Sequence, residues 1–275
     1  MDIIDFRVRP RTQWFLKDLV PKPIPAFELY LKLFGGTPDQ KRLTPATVEE
    51  SIEDMHEYGI TKGVIFAGDA EGTANVVEVC EKFPDSYIGL AGVRPEHGVQ
   101  KAYQDLKRFY LDHNLRGLNM SPYLTGVYAT DRRNYPLYQL SEELGRCVVI
   151  HSSAHYNPNT PLDLSDPMEV DKVAVDFPDL KLVITHGGYG FGDLGPTIAN
   201  RHKNVYLDLT SIHPRALTKT IIALANTQLR NKIIFGTNYP CFEYDIVELW
   251  KKTLDEKVLE RFFYKNAARV LGLDG

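Results

Sequence analysis

Short apolar runs rich in β-branched residues recur along the chain, each ending in small, polar or turn-forming residues. They are Ile3 to Val8, Gly63 to Ala67, Tyr87 to Val93, Arg116 to Ser121, Cys147 to Ser152, Leu180 to His186, Val205 to Thr210 and Lys232 to Thr237. Most, such as CVVIH, LKLVITH and KIIFG, show little polar alternation, the pattern of parallel strands covered on both faces. Between them lie helix-length amphipathic stretches: Pro45 to Tyr58, Asn75 to Phe83, Val99 to His113, Tyr135 to Leu144, Pro167 to Phe177, Gly195 to Arg201 and Pro214 to Ala225. Thr44-Pro45-Ala46-Thr47 followed by Glu49 and Glu50 predicts a helix start with a hydroxyl cap, a proline at N1 and acids in the first turn.

Eight strands with intervening helices in 275 residues predict an α/β fold of the (β/α)8 TIM-barrel type, one domain over residues 1–275. An open doubly wound sheet would need a nucleotide loop or an order reversal, and no GxxxxGK(S/T) occurs. The spacing breaks once. Residues 11–42, with Pro21, Pro23, Pro25 and an LYLKLF segment, form a long first βα excursion, expected on the catalytic face as a lid or subunit interface.

Charge changes the picture by exclusion. With 32 Lys+Arg against 36 Asp+Glu the formal net is -4, so no basic field favours nucleic acid. Cys80, Cys147 and Cys241 are scattered, and an odd count cannot close completely into intrachain disulfides, so a reducing, cytoplasmic setting is expected. The opening MDIIDFRVRPR does not read as a secretory signal, and with no apolar run long enough for one, no membrane span is expected.

Candidate chemistry gathers at the C-terminal ends of the expected strands, where barrel active sites are built. Strand one offers Asp5, Arg7 and Arg9; strand four Asn119 and Ser121; strand five His151; strand six His186; strand seven Asp208; strand eight Asn238. Asp5, Arg7 and Arg9 alternate with Ile4, Phe6 and Val8, so strand periodicity puts the polar three on one face, where Asp5 can pair with Arg7. Two guanidiniums in a partly dry mouth require carboxylates, hydrogen bonds or a bound anion. Phe6, Trp14, Phe15, Tyr123 and Tyr156 are candidate walls. His155 reads as a surface-loop residue, and Cys241, near the same mouth, as a small hydrophobe or loop thiol before a nucleophile.

The stretches IIDFRVRP, LRGLNMSP, VVIHSS, LKLVITHGG, NVYLDLTS, IIFGTNYP and FFYKNAARVLGL together resemble the amidohydrolase superfamily. The resemblance is to the amidohydrolase-related branch of aminocarboxymuconate-semialdehyde and resorcylate-type decarboxylases and small-lactone hydrolases. It implies a metal-dependent-hydrolase-like barrel and favours a homodimer. It also implies a divalent metal held by an HxH on strand one, a histidine on strand five and an aspartate on strand eight, with the strand-six histidine handling protons. His151 and His186 match the two later histidines. Arg7 and Arg9 replace HxH, Asn238 replaces the aspartate, and Asn119 and Ser121 stand for a lysine and a histidine. Two permanent positive charges and too few ligands predict no metal and no cofactor.

The function expected is therefore a metal-independent lyase, of decarboxylase or hydratase type, acting on a small carboxylate. His186, His151 and Asp208 form the catalytic set, and Arg7, Arg9, Asn119, Ser121 and Asn238 bind substrate. Hydrolysis of a small lactone and a non-catalytic anion-binding or assembly role are the alternatives.

Overall fold

The computed structural model describes residues 1–17, 43–240 and 242–273. Most of the 11–42 excursion, including the segment expected to act as lid or interface, lies outside the described residues, as does Cys241. The strands are β1 (Ile3–Asp5), β2 (Ile60–Phe66), β3 (Tyr87–Ala91), β4 (Gly117–Met120), β5 (Cys147–Ile150), β6 (Leu182–Ile184), β7 (Val205–Asp208) and β8 (Ile233–Ile234). They form one 8-stranded sheet in sequence order, each neighbouring pair parallel. Beyond the ends of β1 and β8 the barrel closes through Phe6 N–H to the Phe235 carbonyl (3.0 Å), Asn238 N–H to the Arg7 carbonyl (2.8 Å) and a parallel bridge between Val8 and Tyr239.

Two apolar layers explain why the strand runs lack polar alternation. One cluster takes Ile4, Val64, Ile88, Val149, Val183, Tyr206 and Ile234 from seven of the strands and is the barrel interior. The other joins the opposite strand faces to the surrounding helices, with Val76, Leu106, Leu137, Val173, Ile198 and Trp250 among its members. β4 gives the interior Gly117 instead, because a Cβ there would come within 2.5 Å of the Cys147 sulfur. The helix Asn266–Leu271 floors the barrel: Ala267, Val270 and Leu271 join the interior cluster. Arg116, Lys181 and Asn266 tie that floor to the strand N-termini, Arg116 to Gly272 O, Lys181 to Arg269 O and Asn266 to Ile233 O. The opposite, C-terminal end is left for chemistry.

Four expectations are corrected. The helix Val48–Glu57 is capped by Thr47, whose side chain accepts from Glu50 N–H while Glu50 accepts from Thr47 N–H, so this capping box displaces Thr44 and Pro45 from the start. The stretch expected from Asn75 begins at Ala70 under an Asp69 cap, and that from Pro214 is a single 3-10 turn, Pro214–Ala216, followed by the helix Lys219–Asn226. The alternation of strand one also fails. Ile4 and Phe6 share the interior cluster whereas Val8 packs in the other, because the strand ends at Asp5, whose Oδ1 accepts the Arg7 N–H and turns the chain.

Candidate active site

The strands are shorter than their apolar runs, so Arg7, Arg9, His151, His186 and Asn238 sit just past the strand ends, while Asp5, Asn119 and Asp208 lie in the last residues of β1, β4 and β7. Asp5, fully buried, accepts from Arg7 N–H (3.1 Å), Thr237 N–H (2.9 Å) and the Thr237 hydroxyl (2.5 Å), joining the ends of β1 and β8. Burial pushes its carboxyl up to about 7, against those three donors, which favour the ionised form. Asp5 thus serves the backbone and does not form the expected ion pair with the Arg7 guanidinium.

Arg7 is 5% exposed, and its guanidinium lies 3.7 Å from the centroid of Phe66. Its Nη2 donates to Asn119 Oδ1 at 3.2 Å, and it makes no ion pair among the described residues. Asn119 is oriented by its own donation to Ala67 O at 3.0 Å. Burial lowers the Arg7 pKa to about 10, with Asp208 opposing and Arg9 adding to the shift, so the group stays charged at neutral pH. Arg9 approaches the same Phe66 ring at 4.8 Å and donates to Asn238 Oδ1. Phe66 therefore stands under both cations.

His186 adopts left-handed backbone (φ 57°, ψ 30°) in the turn Thr185–Gly188, at a cost on the order of 1 kcal/mol for a residue with a Cβ. Asp208 Oδ1 offsets this by accepting the His186 N–H at 3.0 Å and the Thr210 N–H at 3.1 Å. Gly188 is required beside it, since a Cβ would lie 3.0 Å from the Cα of Gly195. His186 Nδ1 lies 2.7 Å from the carbonyl oxygen of Thr210. A carbonyl only accepts, so Nδ1 carries the proton and, in the neutral ring, Nε2 carries the lone pair. Burial lowers this imidazole to about 4, Arg7 and Arg9 in the same direction and Asp208 against them.

His151, 8% exposed, meets the His186 ring edge-on at 5.1 Å, with Nδ1 3.4 Å from the Ser165 hydroxyl. Burial, then His186 and Arg7, hold it well below the usual histidine range. Tyr123 packs on His151 at 4.5 Å and stacks on His155 at 4.7 Å, so His155 belongs to the mouth's outer wall and not to a free loop. Asp208 is fully buried, and its Oδ2 has no hydrogen-bond partner among the described residues. Asn238, at φ 61°, is the second left-handed site residue.

Arg7, Arg9, Asn119, His151, His186, Asp208 and Asn238 are thus connected in one mouth. Ser121 is not: it is partly exposed at the start of the turn Pro122–Thr125, and its side chain makes no capping bond. Of the candidate walls, Tyr123 contacts His151 and His155, whereas Phe6 and Phe15 are core. Phe66, Thr237 and the Thr210 carbonyl escape the sequence reading. Only Phe66 carries a signal there, an aromatic at a strand end directly before Ala67-Gly68.

The superfamily resemblance assigns a divalent metal to this mouth, and the residues present do not fit one. The two expected strand-one ligands are guanidiniums, anchored on Phe66 and on the amides of Asn119 and Asn238. Their fixed charges repel a dication. Among the described residues no group of three or more His, Cys, Asp or Glu is arranged to hold a metal.

Fold and site define an amidohydrolase-type barrel whose metal-ligand positions on strand one are cationic. The amidohydrolase family model matches residues 31–273, and the chain belongs to that family. It is 27% identical over 130 residues to 2-keto-4-carboxy-3-hexenedioate hydratase of Sphingobium sp. (strain NBRC 103272 / SYK-6), covering 41% of this chain and 38% of that one. It is 24% identical over 234 residues to 2-amino-3-carboxymuconate-6-semialdehyde decarboxylase of Dictyostelium discoideum, covering 73% of this chain and 65% of that one. The chain thus spans less than two thirds of the length of either curated relative. Among solved structures, the TIM-barrel protein Bb4693 of Bordetella bronchiseptica superposes with a TM-score of 0.82 at 25% identity, covering 99% of both chains. No helix among the described residues is long and apolar enough to cross a membrane.

Proposed function

We propose that this chain is a metal-independent lyase acting on a small carboxylate, with Arg7 and Arg9 binding the anion and His186 moving the proton. The observation that carries this reading is Arg7, a buried guanidinium steadied by an aromatic face and a neutral amide oxygen. An entering carboxylate engages its remaining donors and neutralises a charge that burial disfavours. The same two cations then stabilise negative charge as it spreads over the carboxylate and any conjugated carbonyl.

Neutral His186, with Nε2 unprotonated, accepts a proton in the first step, which favours the hydratase direction over decarboxylation. In elimination His186 takes the proton from the carbon beside the carboxylate, and the C–H electron pair becomes the C=C bond. The C–O bond breaks, and the collected proton goes to the departing hydroxyl, which leaves as water; hydration is the reverse. Asp208 steadies the imidazolium formed between the two steps, and His151 packs edge-on against it. Asn119 and Asn238 set the guanidinium planes. The similarity to a hydratase and a decarboxylase, both named for carboxy-substituted substrates, supports the lyase class. Lactone hydrolysis is the second reading, since a neutral His186 serves equally to activate water.

Metal-stripped protein should hydrate unsaturated carboxylates or dehydrate β-hydroxy acids, followed by the absorbance of the conjugated acid. Tight carboxylate binding with no turnover in hydratase, decarboxylase and lactonase assays would instead make the chain a binding protein.

A further inference from the structure

Tyr123 walls the mouth with its ring, and that ring carries a hydroxyl. It stands in the turn Pro122–Thr125 just after β4, the strand whose Asn119 accepts from Arg7. The ring is held on two sides, by His151 at 4.5 Å and by the stacked His155 at 4.7 Å. His155 is itself tied down, its Nε2 bonded at 3.2 Å to the Pro161 carbonyl. Packing between two imidazoles fixes the direction of the phenol C–O bond, so the hydroxyl has its place before any ligand arrives.

That hydroxyl makes no hydrogen bond among the described residues, although a tyrosine drawn out of water ordinarily pairs its O–H. Arg7 and Arg9 are near enough for their charges to pull the phenol's pKa down, and burial, the larger effect, raises it above the ordinary value. At neutral pH the group is therefore an uncharged O–H, near both guanidiniums and bonded to neither. Guanidiniums only donate, so a phenol bonded to them would have to accept, leaving its own proton free. Three donors around one mouth call for an acceptor from outside.

We infer that Tyr123 is the third donor of the anion site and a catalytic residue, its hydroxyl bonding the carboxylate held by Arg7 and Arg9. The inference rests on the anion reading above and adds a residue to it. When His186 takes the proton beside the carboxylate, the electron pair left behind adds charge to the carboxylate oxygens. A bond from a neutral donor strengthens as its acceptor gains charge, so Tyr123 favours the transition state over the bound substrate. The phenol keeps its proton throughout: it donates a hydrogen bond and transfers nothing.

The test is NMR titration of acetate, fluoroacetate, difluoroacetate and trifluoroacetate against native protein and Tyr123→Phe, which keeps the ring between His151 and His155. Fluorine draws charge off the carboxylate oxygens with little change in size. Tyr123→Phe should bind acetate about tenfold or more weaker than native protein, the scale of one hydrogen bond to a charged group. The ratio should shrink along the series and be smallest for trifluoroacetate. In native protein carrying carbon-13 at tyrosine Cζ, acetate should also shift the Tyr123 resonance, and trifluoroacetate should shift it less. Equal acetate affinities, an equal loss for all four acids, or an unmoved Tyr123 resonance would overturn the donor role while leaving the anion site intact. Failure of native protein to bind any of the four would overturn both.

Discussion

Asp208 Oδ1 accepts the backbone N–H of His186 at 3.0 Å, while its Oδ2, equally buried, has no hydrogen-bond partner among the described residues. The carboxylate therefore does two things to one residue. It holds His186 in left-handed backbone, and it places a negative charge near an imidazole whose Nδ1 proton is committed to the Thr210 carbonyl. The charge favours the imidazolium, but burial and the two arginines outweigh it, leaving His186 a base at rest.

From this follows a titration. His186 should protonate near pH 4 and not near the ordinary value of about 6.5. The sign is that of a lowered folded-state pKa for a base: activity that needs the neutral ring persists down through pH 6 and falls as pH approaches 4. Over the same window the unfolded chain binds a proton that the folded chain does not, so this group makes stability fall as pH drops from about 6.5 toward 4. Because Asp208 raises the value, Asp208→Asn should move the midpoint lower still. Imidazole Cε1 proton shifts followed by NMR measure this directly, and a midpoint at or above 6.5 would remove the base assignment.

Asp5 should matter for stability more than for chemistry. Asp5→Ala leaves the Arg7 N–H, Thr237 N–H and Thr237 hydroxyl without their buried acceptor at the barrel seam. The expected loss is about 2–4 kcal/mol, from unsatisfied buried donors. Urea denaturation measures it, and a change below about 0.5 kcal/mol, the scale of an ordinary surface substitution, would contradict the seam role.

The barrel is legible in the sequence because parallel strands buried on both faces must be nearly continuous in apolar residues, as CVVIH and KIIFG are. Its site is legible where side chains follow strand ends, so His151, His186, Asp208 and Asn238 can be named before any coordinates. What fails is what a backbone decides. The Asx turn at Asp5 breaks the alternation on which the Asp5–Arg7 pairing depended. The proton position on His186 is set by a carbonyl, that of Thr210, which no residue identity encodes. Phe66 becomes a site residue only because β2 ends beneath two arginines contributed by the turn after β1.

Phe66 is accordingly a positioning residue with a measurable signature. Phe66→Leu keeps an apolar group there but removes the aromatic face shared by Arg7 and Arg9, each contact worth about 0.5–2 kcal/mol. Carboxylate affinity should fall roughly three- to thirtyfold. Phe66→Tyr should restore most of it, which a purely volumetric role would not require. Equal affinities for wild type and Phe66→Leu in titration calorimetry would discard the role.

The cationic mouth also makes a statement about metals. Protein purified without added metal should contain well below one equivalent of Zn, Mn, Fe or Co by elemental analysis, and a chelator should change neither its melting temperature nor its carboxylate binding. Stoichiometric metal, removable only with loss of activity, would mean that the guanidiniums of Arg7 and Arg9 move aside to admit a dication. That outcome would overturn the donor-set argument.

The proton carrier and the anion clamp should separate kinetically. Once a turned-over carboxylate is found, His186→Asn should fold normally and lower kcat by roughly 10²-fold or more, the scale of a lost general base, with a smaller effect on KM. Asparagine retains a side-chain N–H donor for the Thr210 carbonyl, so the turn after β6 keeps a way to bond the segment after β7. Arg9→Met should weaken capture and slow the chemical step together, because a clamp on the carboxylate acts in both ground and transition states. Arg9 is the better target of the two arginines. It is partly exposed, whereas truncating buried Arg7 strands the Asn119 side chain and opens a void over Phe66. Steady-state kinetics with circular dichroism as the folding control decide it: unchanged kcat in folded His186→Asn would rule out His186 as the proton carrier and shift attention to the unpartnered oxygen of Asp208.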